Sequence, residues 1–81
     1  MEIDTLQSLH KTIGAKQTSK AIKRGEVKLV LVAVDGDEPI TAPILELCKE
    51  YNVPVEEKHT MEELGKACHI KVKASAVGIL D

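Results

Sequence analysis

This 81-residue chain contains no phenylalanine, no tryptophan and a single tyrosine, Tyr51. RNA-recognition motifs, cold-shock domains and OB-folds hold single strands by stacking bases on exposed aromatic rings. Such a platform is excluded here. Cysteine is nearly as scarce: Cys48 and Cys68 form no Cys-x-x-Cys pair, which argues for reduced core thiols rather than a disulfide scaffold or a zinc site. No apolar run approaches the roughly 18–20 residues that cross a bilayer, so no membrane partner is expected. The start, Met1-Glu2-Ile3-Asp4, is acidic and lacks the basic-then-apolar order of a signal peptide. A cytoplasmic protein is the expectation. Repeats, linkers and low-complexity stretches are also missing, so residues 1–81 read as one small domain with a modest core.

What is present is an uneven distribution of charge. The net charge is −2, yet from Lys11 to Lys28 six basic residues stand against Glu26 alone, a balance of +5. From Asp35 to Glu63 nine acidic residues stand against Lys49 and Lys58, or −7, and from Lys66 to Lys73 three lysines meet no acid. This pattern implies one face that attracts an anion and another that repels it. Charge alone is equally compatible with ordinary solvated surface.

Ile3, Leu6, Leu9 and Ile13 recur at helical spacing, which predicts a helix over residues 3–12. A second helix runs from Gly14 and stops at Gly25, where a left-handed C-terminal cap is usual. Leu29 to Val34 is a continuous β-branched run that reads as a strand buried on both faces, closed by the turn Asp35-Gly36-Asp37. Thr41 and Pro43 are expected to open the next helix, whose core stripe is Ile44, Leu47, Cys48 and Tyr51, with Asn52 at its end. Val53-Pro54-Val55 starts a short strand at a sheet edge. Thr60 and Glu63 form a capping box for a helix carrying Met61, Leu64, Ala67 and Cys68. Ile70 to Lys73 reads as a loop, and Ala74 to Leu80 as a final buried strand. The alternation gives an α/β fold: a three-layer α/β/α sandwich with a mixed sheet of about four short strands.

Catalysis is poorly supported. Asp35-Gly36-Asp37 after an apolar strand resembles a phosphotransferase Asp-x-Asp, but the further acids, phosphate-holding lysine and cap of such an enzyme have no room here. Ser8, Thr12 and Ser75 lack an evident base, and no Gly-x-Ser-x-Gly elbow occurs. Gly14-Ala15-Lys16 lacks the second glycine of a Walker loop. His69 adjoins Cys68, yet neighbours on a helix point some 100° apart. No metal or cofactor is implied.

The helix Gly14–Gly25 carries the most information. At 100° per residue, Lys16, Lys20 and Lys23 fall within about 60° of one another, while Thr18, Ala21 and Ile22 lie opposite. Gln17 and Arg24 share one shoulder. Its glycine-preceded start offers unpaired N–H groups and the positive end of the dipole. Such a helix suits phosphate and base edges. A regular A-form major groove is too narrow to admit it, so an RNA target would need a groove opened by non-Watson–Crick pairs or a bend.

The segment Gly14–Gly25, the run Lys28 to Ala33, and Leu64-Gly65-Lys66-Ala67-Cys68 through Ala74 to Ile79 together resemble the L-seven-Ae/L-thirty-e ribosomal-protein superfamily. The small bacterial members are most similar, over residues 8–80. The Gly-x-x-x-Thr-x-Lys helix start, the Arg-Gly helix end and the Leu-Gly-Lys-Ala segment carry the resemblance. It implies binding to kink-turn RNA, a sharply bent element with tandem sheared G·A pairs and a short bulge. The family positions that meet the G·A pairs and adjacent phosphates match Lys16, Gln17 and Lys20. Lys16 replaces an Asn and Gln17 a Glu, though Gln keeps an amide for a guanine edge and Lys adds a phosphate-seeking charge.

The resemblance further implies that Gly14 opens the site, that Lys23, Arg24 and Lys28 supply charge, and that Ile70, Val72 and Ala74 pack against bulged nucleotides. Lys71 stands where relatives often carry Glu, and Lys73 where they carry a small residue, which favours phosphate grip. The partner implied is a kink-turn in ribosomal RNA, a riboswitch or another structured RNA, with the ribosome as one setting and a monomer as the acting species. The same fold also serves as a protein-interaction module in translation and stress-signalling proteins, and the acidic centre of this chain suits that alternative.

Overall fold

The computed structural model describes residues 8–80. In chain order the elements are β1 (Lys11–Ile13), α1 (Ala15–Lys23), β2 (Leu29–Ala33), α2 (Glu38–Glu50), β3 (Val55–His59), α3 (Met61–Ala67) and β4 (Ala76–Ile79). The strands form one mixed sheet in the order β1-β4-β2-β3. β4 pairs antiparallel with both neighbours, Val77 facing Ile13 on one side and Leu31 on the other. β3 runs parallel to β2 as an edge strand, with one extra residue accommodated between Glu56 and His59 opposite Leu31 and Ala33. Pro54 immediately precedes that edge, as its missing N–H requires.

Alternation along β2 and β4 builds two cores. Val30, Val32 and Ala76 join Ala21 and Ile22 of α1 and Ile44 and Cys48 of α2 on one face. Leu31, Ala33, Val77 and Ile79 join Leu64 and Cys68 on the other face, under α3. Two helices above and one below make the three-layer α/β/α sandwich expected from the alternation of elements. Gly78 leaves room for this packing: a Cβ there would lie 2.6 Å from Thr12 Oγ1 and 3.2 Å from Thr18 Cγ2.

Four boundaries differ from the sequence reading. The helix expected over 3–12 ends in a strand, Lys11–Ile13, and residues 3–7 lie outside the described residues. Leu9 and Ile13, four apart, share a face in a strand as they do on a helix, and both pack on the α3-side core. Helix α2 begins at Glu38, with Pro39 in its first turn, rather than at Thr41. Thr41 is buried, and its hydroxyl donates to the Asp37 carbonyl at 3.3 Å. Pro43 sits inside the helix and lacks the N–H that would reach the Pro39 carbonyl.

Tyr51 is not a core residue. It is the C-cap of α2, where the helix ends, and it is 42% exposed. The first buried strand stops at Ala33 and leaves Val34 exposed. The last begins at Ala76 rather than Ala74.

Candidate nucleic-acid interface

Gly14 is the N-cap of α1, at φ 93°. That left-handed region favours glycine whatever the surrounding space, and no atom stands within 4 Å of where a Cβ would be. Its N–H donates to the Ala76 carbonyl at 2.8 Å, which fastens the helix start to the first residue of β4. The cap supplies no side-chain hydrogen bond, and the first turn holds no acid. Lys16, Gln17 and Lys20 are exposed, while Thr18 between them is buried. The buried Thr18, Ala21 and Ile22 fix the rotation of α1 and so force the lysine stripe outward.

The loop between α3 and β4 lies beside this helix start. Cys68 and His69 end α3, His69 adopting φ 58°, and the Ile70 N–H donates back to the Gly65 carbonyl at 3.1 Å. Gly65 is required for the loop to lie there. A Cβ would run into the Val72 carbonyl oxygen and stand 3.3 Å from Lys73 Cα. Lys71 and Lys73 are exposed and Val72 is 69% exposed. Ile70 is half-buried against the α3-side core. Ala74, expected to pack against a ligand, is instead 2% exposed, and its methyl belongs to that core.

The Gly14–Ala76 hydrogen bond therefore sets the start of α1, with Lys16 and Gln17, at the same end of the sheet as the loop carrying Lys71, Val72 and Lys73, which leads into β4. Lys20 sits one turn further along the same stripe. Lys23 and Arg24 end the helix, about 10 Å from Lys16 at 1.5 Å per residue. Lys28 precedes β2 at the opposite end of the sheet, its N–H bonded to the Ile79 carbonyl at 2.7 Å. The basic residues form a track leading away from the helix start rather than one cluster. None of these cations is paired with an acid among the described residues, where the ion pairs are Lys66–Glu62 at 3.3 Å and Lys58–Glu56 at 3.9 Å.

Two exposed apolar residues at this end were not singled out from the sequence. Val34, at 54% exposure, and Ile40, at 43%, flank the turn after β2. Asp35 in that turn accepts the Met61 N–H at 2.8 Å. An apolar run continuing through Val34 gave no sign that its last residue would be exposed. The capping box predicted at Thr60 and Glu63 is present: Thr60 Oγ1 accepts the Glu63 N–H at 3.1 Å, and Glu63 Oε1 accepts the Thr60 N–H at 2.8 Å. That bond from the Thr60 backbone holds the Glu63 carboxyl below its ordinary pKa.

Cys48 and Cys68 are buried and free, and burial pushes both thiols up. No three His, Cys, Asp or Glu among the described residues are placed to share a metal ion.

Residues 5–81 match the family described as ribosomal protein L7Ae/L30e/S12e/Gadd45. The chain belongs to that family. It is 48% identical over 75 residues to the RNA-binding protein YbxF of Geobacillus stearothermophilus, covering 93% of this chain and 92% of that one. An RNA-binding protein of Geobacillus thermodenitrificans is 45% identical over the same length and the same shares of both chains. Among solved structures, a protein of unknown function from Bacillus halodurans C superposes with a TM-score of 0.89 at 24% identity, covering 98% of this chain and 83% of that one. A Giardia lamblia 15.5kD RNA-binding protein superposes at 0.87, also at 24% identity, covering 98% and 70%. Both structures share the fold of this L7Ae-family chain.

Proposed function

We propose that this chain is a non-enzymatic RNA-binding module that recognises and stabilises kink-turns, acting as a monomer in the cytoplasm. The observation that carries the reading is the Gly14–Ala76 hydrogen bond, which sets the exposed Lys16 and Gln17 of α1 at the same sheet end as the exposed Lys71-Val72-Lys73 segment. Membership of the L7Ae family and the RNA-binding character of the Geobacillus relatives support it. In this reading Gln17 and Lys20 meet base edges and phosphates in a groove widened by the bend, and Lys16 adds charge at its rim. Lys71, Lys73 and the track through Lys23, Arg24 and Lys28 grip phosphate. Val72 and the half-buried Ile70 cover bulged nucleotides.

The work done is a shift of population. Free RNA samples extended and kinked forms, and a protein that binds only the kinked form draws the equilibrium toward it. Fluorophores on the two arms of a simple kink-turn report this directly. Their separation is expected to fall on titration with protein in magnesium-free buffer. An unchanged separation at saturating protein would reject the stabiliser role.

A further inference from the structure

We propose that Asp35 is a positioning residue: from the exposed turn after β2 it holds the Ile70–Lys73 loop in place through Met61. Three hydrogen bonds meet at Met61. Asp35 Oδ1 accepts the Met61 N–H at 2.8 Å, although 26 residues separate them. The Met61 carbonyl accepts the Ala74 N–H at 3.2 Å. The Ser75 hydroxyl donates to Met61 Sδ at 3.8 Å. Ala74 and Ser75 are the residues on which the Lys71-Val72-Lys73 segment ends, and the next carbonyl, that of Ala76, receives the Gly14 N–H.

Met61 is the first residue of α3, and its N–H belongs to the set that a helix leaves unpaired. The capping box satisfies the Thr60 and Glu63 N–H groups and leaves that of Met61 to Asp35. Asp35 has a further consequence. It fixes Met61 against the β2 turn, and Met61 presents its carbonyl and sulfur to the end of the loop. The carboxylate lies at the end of the molecule proposed to meet a polyanion, where its charge opposes binding. Despite that charge, its oxygen serves here as the acceptor for the Met61 N–H. The sequence gives this residue only the look of a turn former.

The RNA arm of the test rests on the kink-turn reading, and the exchange arm does not. Asp35→Ala removes both the acceptor and the charge, whereas Asp35→Asn removes the charge and keeps an acceptor. Affinity for a kink-turn at physiological salt is expected to fall about three- to tenfold in Asp35→Ala, the range of one hydrogen bond. It is expected to equal or exceed wild type in Asp35→Asn. Amide exchange at Ala74, two bonds from the substitution, is expected to quicken in Asp35→Ala alone. Unchanged exchange at Ala74 in Asp35→Ala would overturn the proposal, as would equal affinities for the two variants. A wild-type protein that ignores kink-turns would end the functional reading while leaving the Ala74 measurement to decide this one. Both variants are expected to fold, because Asp35 is exposed and belongs to neither core.

Discussion

Thr12 Oγ1 and Thr18 Oγ1 lie 3.0 Å apart and hydrogen-bond across the junction of β1 and α1. Thr18 is wholly buried in the face of α1 that opposes the lysines, so this bond ties the helix to its sheet while the cations stay in water. Gly78 passes beneath both threonines, close enough that a Cβ would stand 2.6 Å from Thr12 Oγ1.

Gly78→Ala is therefore expected to cost about 1–3 kcal/mol by overpacking. In a Thr12→Ala background the nearest obstacle is gone, and the same substitution is expected to cost less. A urea-unfolding double-mutant cycle measures the difference. Additive effects would place the strain elsewhere.

Gly65→Ala tests the seat of the loop. Alanine is favoured over glycine within a helix by about 1 kcal/mol, but here the new methyl meets the Val72 carbonyl. The net result is expected to be a loss of about 1–3 kcal/mol, because backbone must move. Kink-turn affinity is expected to fall under conditions where the variant remains fully folded. A more stable variant in thermal unfolding would show that the loop yields freely.

Acid is expected to loosen the start of α3. The folded protein holds Glu63 below its ordinary pKa through the bond from the Thr60 N–H. Its contribution is therefore complete above the unfolded value of about 4.3 and is lost as pH falls through the folded value. In NMR spectra recorded from neutral pH downward, protection of the Thr60 and Glu63 amides, measured against the intrinsic exchange rate at each pH, should begin to fall as pH drops below that unfolded value. Glu63→Gln, which keeps an acceptor that does not titrate, should flatten the response.

Substitutions at Gln17 and Lys23 test whether base reading and phosphate grip are divided along one helix. Lys23→Ala removes at most a phosphate contact and is expected to weaken intact and G·A-mutated kink-turns alike, lowering the salt slope by about one. Gln17→Ala is expected to cost about 1–3 kcal/mol on the intact RNA and little on the mutant, with the slope unchanged. If Gln17→Ala binds the intact RNA as wild type does, base reading lies with Lys16, Lys20 or the shape of the RNA.

The parts legible in the sequence are those set by local chemistry. Gly14 and Gly25 bracket α1 because both need positive φ, and Thr60 with Glu63 carries its capping box in its spacing. The faces of α1 followed from residue period alone. Contacts across the fold stayed hidden. β1 exists because β4 pairs with it, and Leu9 and Ile13 fit either a helix or a strand. The site was partly legible: the exposed lysines of α1 were, but the burial of Ala74 was not. A small residue at a loop end carries no mark of which way it faces. Asp35 was hidden for the same reason, since its partner lies in another element.

Kink-turn recognition is tested most directly by comparing the affinity of the wild-type chain for an intact kink-turn with that for the same RNA carrying disrupted G·A pairs, both at physiological salt. The account predicts that the intact RNA binds at least about tenfold tighter, the discrimination of one well-placed polar contact to a base edge. Equal affinities would contradict it and leave a basic surface that grips phosphate without reading the bend.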